Sequence, residues 1–537
     1  AGRVQTPTLA MIVEREREIR KFVPKEYDSI SADFGKFTGL WRDKNNNTRL
    51  FDREKAQALL EKLKGATFCV TAVNKTIKKE GCPLLYDLTE LQRDANKKYG
   101  YSAKQTLSAM QRLYETHKLL TYPRTDSRYL TEDIVPTLGE RLKSIAVGPY
   151  AKLAGEIIRE KRKIAKKCVD NKKVTDHHAI IPTEEYVELQ SLSVEERNVY
   201  DLVVRRFLCV FCGDCEYEAM RVEVTGKEEC FGAKGKHMVK KGWRSAYDRI
   251  SEEEEDEDEK DQELPALRKG ETLSVRSLQL KTGKTKPPSR YTEATLLSAM
   301  EHPGKFIDDA KMRDVIEKSS GLGTPATRAE IIERLFNAFY TERHGKEIIP
   351  TSKGMQLIDL VPEDLKEPEL TAKWEQTLEK IARGTADSKK FMEDIKRYAE
   401  KLIGMVVASD AKYTHDNVSG TRCPNCGKYM LEVNGKKGKL LVCQDRECGY
   451  RQNVSIRTNS RCPNCHKILE LVGSGDGRTY VCKCGYREKE SAFRKRMAEN
   501  KAGNVSKKEV QRYLKSQNAQ PELSPFDLAL QKAMEKK

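Results

Sequence analysis

The chain has 537 residues, of which 34% are charged, and a formal net charge of +17. This length exceeds what one hydrophobic core usually organises, so several domains are expected, and the positive charge favours a polyanionic partner over a merely soluble basic surface. No run of about eighteen apolar residues occurs, as a membrane-spanning helix requires, so no membrane association is expected. Fifteen cysteines predict metal sites rather than disulfides.

The chain opens with a predicted helix, and a mixed region follows it. Thr6 is expected to cap this helix, and Pro7 suits its first turn. Residues 54–64 then have helical periodicity, whereas residues 67–77 alternate as a strand does.

Residues 86–210 are predicted to be mainly helical. Asp87 and Glu90 have the spacing of a capping box, and Ser102 with Gln105 repeats that spacing at the next helix. Two short helices in this arrangement are similar to a helix-turn-helix, which can present N–H groups and basic side chains to a phosphate backbone.

A Tyr-Pro-x-Arg pattern follows these two helices. Pro123 biases Tyr122 toward an extended backbone. A tyrosine oxygen can attack phosphorus and form a covalent intermediate, and a guanidinium such as that of Arg124 can neutralise the phosphate oxygens. Taken alone, the pattern also describes a buried tyrosine beside a turn, with the arginine in a surface ion pair.

Two further features have structural interpretations. Cys209, Cys212 and Cys215 lie in an apolar run without an obvious fourth ligand, so they are expected to be buried structural thiols. The acidic run at 252–259 is expected to be a solvated loop rather than a metal site. It interrupts a strand-like alternation over residues 219–282.

Helical periodicity returns over residues 287–405. The clearest helical segments are residues 292–300, 326–339 and 371–383. The turn at 321–323 has two glycines, which would let the backbone approach a phosphate, although this signal is weak alone.

A cysteine pattern repeats near the C-terminus at an offset of 39 residues. The two sets are Cys423, Cys426, Cys443 and Cys448, and Cys462, Cys465, Cys482 and Cys484. Cys-Pro-Asn-Cys knuckles with intervening hairpins are typical of zinc ribbons, and four thiolates favour tetrahedral Zn²⁺. The alternative is a ribbon that kept its fold without metal. The last pair of the second set is more tightly spaced than usual.

Several segments together closely resemble the motifs of type IA DNA topoisomerases, in the family's order. They are residues 2–7, 86–96, 119–130, 176–183, 290–294 and 321–328. The resemblance covers about residues 1–405. Residues 122–130 and 177–183 look most like the bacterial topoisomerase III branch.

This resemblance implies a multidomain α/β (α+β) fold with a toroidal core. The core would have helical, helix-turn-helix-like domains and a β-rich arch, followed by two zinc ribbons. The implied segments are a DNA-binding helical domain (1–28 and 287–408), the arch (29–85 and 216–286), the tyrosine domain (86–215), ribbons at 420–452 and 460–488, and a basic tail (489–537).

The resemblance also implies an ATP-independent topoisomerase, an isomerase that relaxes or decatenates DNA. Tyr122 would cleave one strand through a 5′-phosphotyrosine, before strand passage and religation. Arg124 and His177 would assist it as catalytic residues, with His178 as the weaker alternative to His177. The expected DNA contacts are Arg3, Val4, Gln5, His178, Arg290 and Arg328.

Family members carry a Mg²⁺-binding TOPRIM domain ahead of the first motif, and no equivalent acidic cluster is found in this sequence. Mg²⁺ is therefore expected to bind in a preceding domain, and Zn²⁺ in the ribbons. One alternative is a catalytically incomplete fragment that only binds single-stranded DNA. A recombinase or relaxase would need arginine and histidine patterns that the sequence does not have.

The resemblance further implies single-stranded and duplex DNA as partners. It implies a monomer in the cytoplasm, associated with the nucleoid, and leaves a partner helicase open.

Overall fold

The computed structural model describes residues 2–247, 262–307, 309–318, 321–408, 417–435, 438–445, 447–473, 475–482 and 484–502. The chain divides into two compact units, Ala1–Ala411 and Lys412–Lys537. The acidic run at 252–259 and the tail beyond residue 502 lie outside the described residues. In the part of the chain that the structure describes, no helix is both long and apolar enough to cross a membrane.

The first unit contains fourteen α-helices within its described residues. They are α1 (Gln5–Lys21), α2 (Arg53–Leu63), α3 (Leu88–Tyr99), α4 (Ala103–Glu115), α5 (Leu138–Ser144), α6 (Ala151–Arg159), α7 (Val194–Cys209), α8 (Glu293–Glu301), α9 (Ala310–Lys318), α10 (Pro325–Asn337), α11 (Ser352–Leu360), α12 (Glu363–Lys366), α13 (Glu369–Ala382) and α14 (Ser388–Ala408).

An antiparallel sheet of seven strands lies in the same unit. Its strands are β1 (Glu26–Asp33), β2 (Thr38–Arg42), β3 (Phe68–Glu80), β4 (Cys215–Gly226), β5 (Glu229–Lys240), β6 (Thr272–Leu273) and β7 (Ser277–Lys284), in the order β6-β3-β4-β5-β2-β1-β7. Alternate residues of β4, including Val222 and Val224, are buried with Phe68 and Phe231 in one core. A separate hairpin pairs β8 (Thr341–His344) with β9 (Glu347–Pro350).

Two helical cores accompany the sheet. One is built around α3, α4 and α7 with the segments that follow α4. The other packs α1 against α8, α10 and α11, so residues near position 9 share a core with residues beyond position 290.

The second unit holds two four-stranded antiparallel sheets. The first sheet contains β10 (Val418–Arg422), β11 (Tyr429–Gly435), β12 (Gly438–Cys443) and β13 (Arg451–Asn453). The second contains β14 (Ser455–Arg461), β15 (Ile468–Val472), β16 (Thr479–Val481) and β17 (Arg487–Lys489), and α15 (Glu490–Ala502) follows it. The fold is thus multidomain and mixed α/β, with two cysteine ribbons, as the sequence predicts.

The predicted helix starts agree with the structure except in two details. Ser102 and Gln105 form a complete capping box, and Gly100 ends α3 in the left-handed conformation. Asp87 caps α3 but the side chain of Glu90 turns to Arg93, so that box is only half formed. The expected cap at Thr6 is wrong, because α1 already begins at Gln5.

Candidate active site and metal centres

Tyr122 lies on an extended segment that pairs with residues 177–183. Leu120 forms a β-bridge with Pro182. The N–H of Thr121 donates to the carbonyl of Ile181 at 3.0 Å, and the N–H of Ile181 donates back to Thr121 Oγ1 at 3.0 Å. These bonds bring the tyrosine and histidine motifs together although about 55 residues separate them in the chain.

A second set of bonds fixes the continuation of this segment. The N–H of Leu88 donates to the carbonyl of Thr125 at 3.2 Å, and Arg128 Nε donates to the carbonyl of Leu85 at 3.1 Å. The hydroxyl of Thr125 donates to the carbonyl of His177 at 2.9 Å. Three of the motifs recognised in the sequence therefore converge on Tyr122.

The phenol ring of Tyr122 is half-buried between two other rings. Its centroid lies 4.3 Å from that of His177, with the planes inclined by 38°, and 5.6 Å from that of Tyr114 in an edge-on contact. The ring borders a pocket of about 300 Å³ to which Asp133 and Asp176 also contribute. The ring is thus oriented by packing while the pocket beside it remains accessible.

The two neighbouring histidines differ in environment. His177 is exposed, whereas His178 is half-buried and its Nδ1 lies 2.7 Å from the carbonyl of Ala179. Burial lowers the pKa of His178 from its ordinary value. A neutral His178 that donates from Nδ1 presents a lone pair at Nε2, which suits a phosphate oxygen poorly. The arrangement therefore favours His177 as the phosphate-facing ring.

Arg124 is exposed two residues after Tyr122, and it forms no ion pair with a carboxylate of the described residues. Its guanidinium is consequently available to an external anion. Asp126, two residues after Arg124, is also exposed.

The predicted DNA contacts at the start of the chain border a cleft of about 400 Å³. Arg3 and Val4 line it together with Gly323 and Thr324, which precede α10. Arg3 Nη1 lies 2.6 Å from Glu375 Oε1. Gln5, half-buried, begins α1.

Arg290 and Arg328 are engaged within the protein. Arg290 Nε lies 2.8 Å from Glu16 Oε2, and its side chain remains 31% exposed. Arg328 is only 1% exposed, and its Nη1 donates to Thr89 Oγ1 at 2.9 Å. A direct DNA contact by Arg328 would require the surrounding helices to move, so its burial in this structure favours a packing role.

The interpretation of the sequence missed a buried polar cluster around Arg328. Glu301 Oε1 lies 3.6 Å from Arg328 Nη1, and Glu301 Oε2 lies 2.6 Å from Arg93 Nη1. Burial raises the pKa of Asp87 to about 6. The signal in the sequence was the density of charged residues in this motif, namely Asp87, Glu90, Arg93 and Asp94. Tyr114, which contacts Tyr122, was missed because an apolar helix face explains it equally well.

Each cysteine set brings its four sulfur atoms together, all within 4.8 Å of one another. In the first set the Sγ atoms of Cys426 and Cys443 are 3.3 Å apart, and in the second those of Cys465 and Cys482 are 3.4 Å apart. A tetrahedral Zn–S₄ site with bonds of about 2.3 Å has S···S edges of roughly 3.8 Å. Both sets are thus arranged to hold a metal ion of this kind.

Backbone groups favour the thiolate form at the first knuckle. Burial opposes ionisation of Cys423, but the N–H groups of Cys426 and Asn425 outweigh it and lower the pKa of Cys423 to about 7. By contrast, Cys209 and Cys215 are buried and Cys212 is half-buried, which agrees with structural thiols.

Comparisons with known proteins agree with this geometry. The family model described as DNA topoisomerase matches residues 1–393. DNA topoisomerase 3 of Bacillus cereus (strain ATCC 14579) is 50% identical over 537 residues, which cover 99% of this chain and 74% of the relative. DNA topoisomerase 3 of Bacillus subtilis (strain 168) is 51% identical over 538 residues, covering 100% and 74%.

The fold is similar to that of a solved structure, full-length topoisomerase I from Thermotoga maritima. That match has a TM-score of 0.58 at 24% identity and covers 86% of this chain and 72% of the other. The family match and the close relatives favour the topoisomerase interpretation over a protein that only binds DNA. The chain belongs to the type IA DNA topoisomerases, which are isomerases that act on DNA, and its relatives are bacterial topoisomerases 3.

Proposed function

We propose that Tyr122 is the nucleophile of this topoisomerase and that it attacks a phosphodiester of one DNA strand. The bond from Tyr122 Oη to phosphorus forms as the bond to the 3′-oxygen breaks. The phenol gives up its proton and the leaving 3′-oxygen takes one up, so the step has no net change in protons. The product is a 5′-phosphotyrosine and a free 3′-OH, which reverses the reaction after strand passage. The observation that carries this proposal is the ring of Tyr122, oriented against His177 beside an accessible pocket.

Two cationic or donor groups support the attack. Arg124 is exposed next to the tyrosine and suits the non-bridging phosphate oxygens. His177 is exposed beside Tyr122, and a ring nitrogen can donate a hydrogen bond to the same phosphate. Because the ester conserves the energy of the broken bond, no ATP is required.

The experiment is plasmid relaxation and trapping of the covalent DNA adduct with the full-length gene product. Tyr122→Phe keeps the ring contacts and removes Oη, so both activities should be lost while binding of single-stranded DNA persists. Tyr129→Phe is the matched control, because Tyr129 lies on the same segment and, among the described residues, its hydroxyl accepts a hydrogen bond only from Lys173 Nζ. A covalent adduct that survives in Tyr122→Phe would refute the assignment.

We propose four residues as DNA contacts: Arg3 and Val4, which border the cleft, the adjacent Gln5, and Arg290. Because the two arginines would neutralise phosphates, DNA affinity should fall as salt rises, independently of base sequence. The support is the cleft of about 400 Å³ with the start of α10 at its edge. His178 is a less suitable contact, since its ring is turned to a carbonyl.

Zn²⁺ is the metal proposed for both cysteine sets, since four thiolates at this separation match its radius and ligand preference. In a ribbon with so small a core, the metal would supply much of the folding free energy. Mg²⁺ remains an expectation from the family resemblance.

The finer assignments of partners and domains are also proposals. Single-stranded and duplex DNA, a monomeric state and a cytoplasmic, nucleoid-associated location are what the family implies. The domain boundaries proposed from the sequence are supported by three separate hydrophobic cores in the first unit. A helicase remains a candidate partner.

A further inference from the structure

An apolar groove adjoins the region that carries Tyr122. Its volume is about 730 Å³, which falls in the range of roughly 300–1,000 Å³ typical of ligand clefts. The 3₁₀ turn Glu132–Thr137 contributes to this groove and to the tyrosine pocket. Glu132 and Val135 line the groove, whereas Asp133 and Ile134 line the pocket.

The walls of the groove are large aliphatic side chains from α5, α6 and the segment after α6. They are Leu138, Leu142, Ile157, Ile158 and Ile164, and the aromatic ring of Phe211, after α7, completes the lining. Leu138, Leu142 and Ile157 form a buried floor, each 5% exposed or less. Val135 at the edge is 37% exposed, and Ile158 and Ile164 are half-buried, so these side chains supply the accessible apolar surface. An accessible apolar surface surrounded by polar residues is the usual mark of an interaction site in a soluble protein.

The rim of the groove is strongly basic. Lys143, Lys161, Lys163 and Lys166 all contribute to it, against one acid, Glu132. Lys161, Lys163 and Lys166 form no ion pair with a carboxylate of the described residues. The rim therefore has positive charge that the neighbouring protein does not neutralise.

We propose that this groove is a docking site for an acidic segment of a partner protein. The segment would present about two or three large apolar side chains along one face, as amphipathic helices in grooves do, with aspartates or glutamates beside them. Burial of the apolar side chains on the walls supplies affinity, and the lysines attract and orient the carboxylates. The site is separate from the residues that act on DNA.

Nucleic acid is the less suitable occupant. Single strands bind to basic grooves by stacking their bases on accessible aromatic rings. The aromatic residue of this lining, Phe211, is only 5% exposed, and the accessible apolar side chains, such as Val135, Ile158 and Ile164, are aliphatic. An apolar helix face bordered by carboxylates matches such a surface better than the sugar-phosphate backbone and bases of a nucleic acid.

Gly139 gives a way to block the groove without disturbing the fold. It lies in α5 among the lining residues, and a Cβ added there would meet no atom within 4 Å. Gly155 in α6 is equally open and does not belong to the lining. Gly139→Glu and Gly155→Glu therefore change net charge and helix composition alike, but only the first places a carboxylate in the groove.

The test uses the full chain and a fluorescein-labelled amphipathic peptide with leucines on one helix face and glutamates on the other. Fluorescence anisotropy should show saturable binding, weakened by about tenfold or more in Gly139→Glu and unchanged in Gly155→Glu. Versions of the peptide with lysines for glutamates, or serines for leucines, should bind at least about tenfold more weakly than the parent.

Several results would overturn the proposal. They are absence of peptide binding, equal affinity of the lysine peptide, or equal loss in both glycine variants. If Gly139→Glu instead weakens binding of an oligothymidylate while the peptide is unaffected, the groove is a nucleic-acid surface and the proposal is wrong. Tyr122→Phe should leave peptide affinity unchanged, so this test and that of the nucleophile succeed or fail independently.

Discussion

The imidazole of His177 lies against the phenol of Tyr122, with ring centroids 4.3 Å apart and the hydroxyl of Thr125 bonded to the carbonyl of His177 at 2.9 Å. The contact has two separable consequences. It orients the phenol by packing, and in the proposed mechanism it places a hydrogen-bond donor beside the phosphate that Tyr122 attacks.

Substitutions at His177 should separate these two effects. His177→Phe keeps a ring against Tyr122 but cannot donate a hydrogen bond, so cleavage should slow by about 10²-fold or more with DNA affinity almost unchanged. His178→Phe is the control, since His178 already bonds to the carbonyl of Ala179. Single-turnover cleavage of a labelled oligonucleotide, at a series of protein concentrations, measures the cleavage rate and the DNA affinity of each variant. Equal losses in the two variants would contradict the assignment to His177.

Asp87 should make stability depend on pH. Burial raises its pKa to about 6 in the folded protein, above an unfolded value near 3.9. The folded state binds more protons between these values, so Asp87 lowers the free energy of unfolding as pH rises through that window. The effect is on the order of 1–3 kcal/mol. Asp87→Asn keeps an oxygen for the N–H of Glu90 and should remove this dependence.

The measurement is the difference in melting temperature between Asp87→Asn and the parent protein at pH 4.5 and at pH 7.5. The melting temperature of Asp87→Asn, relative to that of the parent protein, should be higher at pH 7.5 than at pH 4.5. Asp52→Asn is the control, because Asp52 also caps a helix but is exposed, and the N–H of Lys55 lowers its pKa. Its difference should be the same at both pH values. If the difference in melting temperature between Asp87→Asn and the parent protein is the same at both pH values, the pKa of Asp87 is not raised by folding.

Local patterns in the sequence predict much of the secondary structure but not the pairing of distant segments. Ser102, Gln105 and Gly100 act as helix signals through bonds within four residues, which a local pattern encodes. The pairing of β1 with β7, about 250 residues apart, and of Thr121 with Ile181 depends on the whole tertiary fold. Only the family resemblance, which carries such information implicitly, indicated that the Tyr122 and His177 motifs meet.

The burial of Arg328 could not be predicted, because arginine is mostly exposed and a motif position does not reveal depth. In the structure its guanidinium lies among Thr89, Glu301 and Asp87. Arg328→Met should therefore lower the free energy of unfolding of the first unit by about 3–5 kcal/mol, since it removes a buried cation from beside the buried carboxyl of Asp87 and takes the donor away from Thr89 Oγ1.

Arg334→Met on the same helix is the control for this substitution. Arg334 is 63% exposed and pairs with Glu330 one turn away, so its loss should change stability by only a few tenths of a kcal/mol. Urea unfolding followed by far-ultraviolet circular dichroism compares the two. If Arg328→Met keeps the parent stability but weakens DNA binding, the arginine contacts DNA and the packing assignment is wrong.

The two ribbons should differ in how they release metal, although both sulfur sets are equally compact. Among its described residues, the first ribbon buries only Cys423, Met430 and Cys443. The second also buries Leu469, Tyr480 and Phe493, because α15 packs the ring of Phe493 against that of Tyr480 at 4.2 Å. The ribbon with the tight Cys482-x-Cys484 spacing is therefore the one with the larger hydrophobic core, so its sheet should open less readily.

Protein loaded with two Zn²⁺ should lose them to a chelator in two phases, the faster from the first ribbon. Cys426→Ser should remove the fast phase and Cys465→Ser the slow one. Phe493→Ala removes a buried ring worth about 3–5 kcal/mol and should accelerate only the slow phase, whereas Met497→Ala, at a position 42% exposed on the same helix, should change neither. A colorimetric zinc indicator follows both rates. Metal release from a ribbon requires its sheet to open, and the contact of Phe493 with Tyr480 should resist that opening in the second ribbon. If Phe493→Ala accelerates neither phase, α15 does not support the second ribbon.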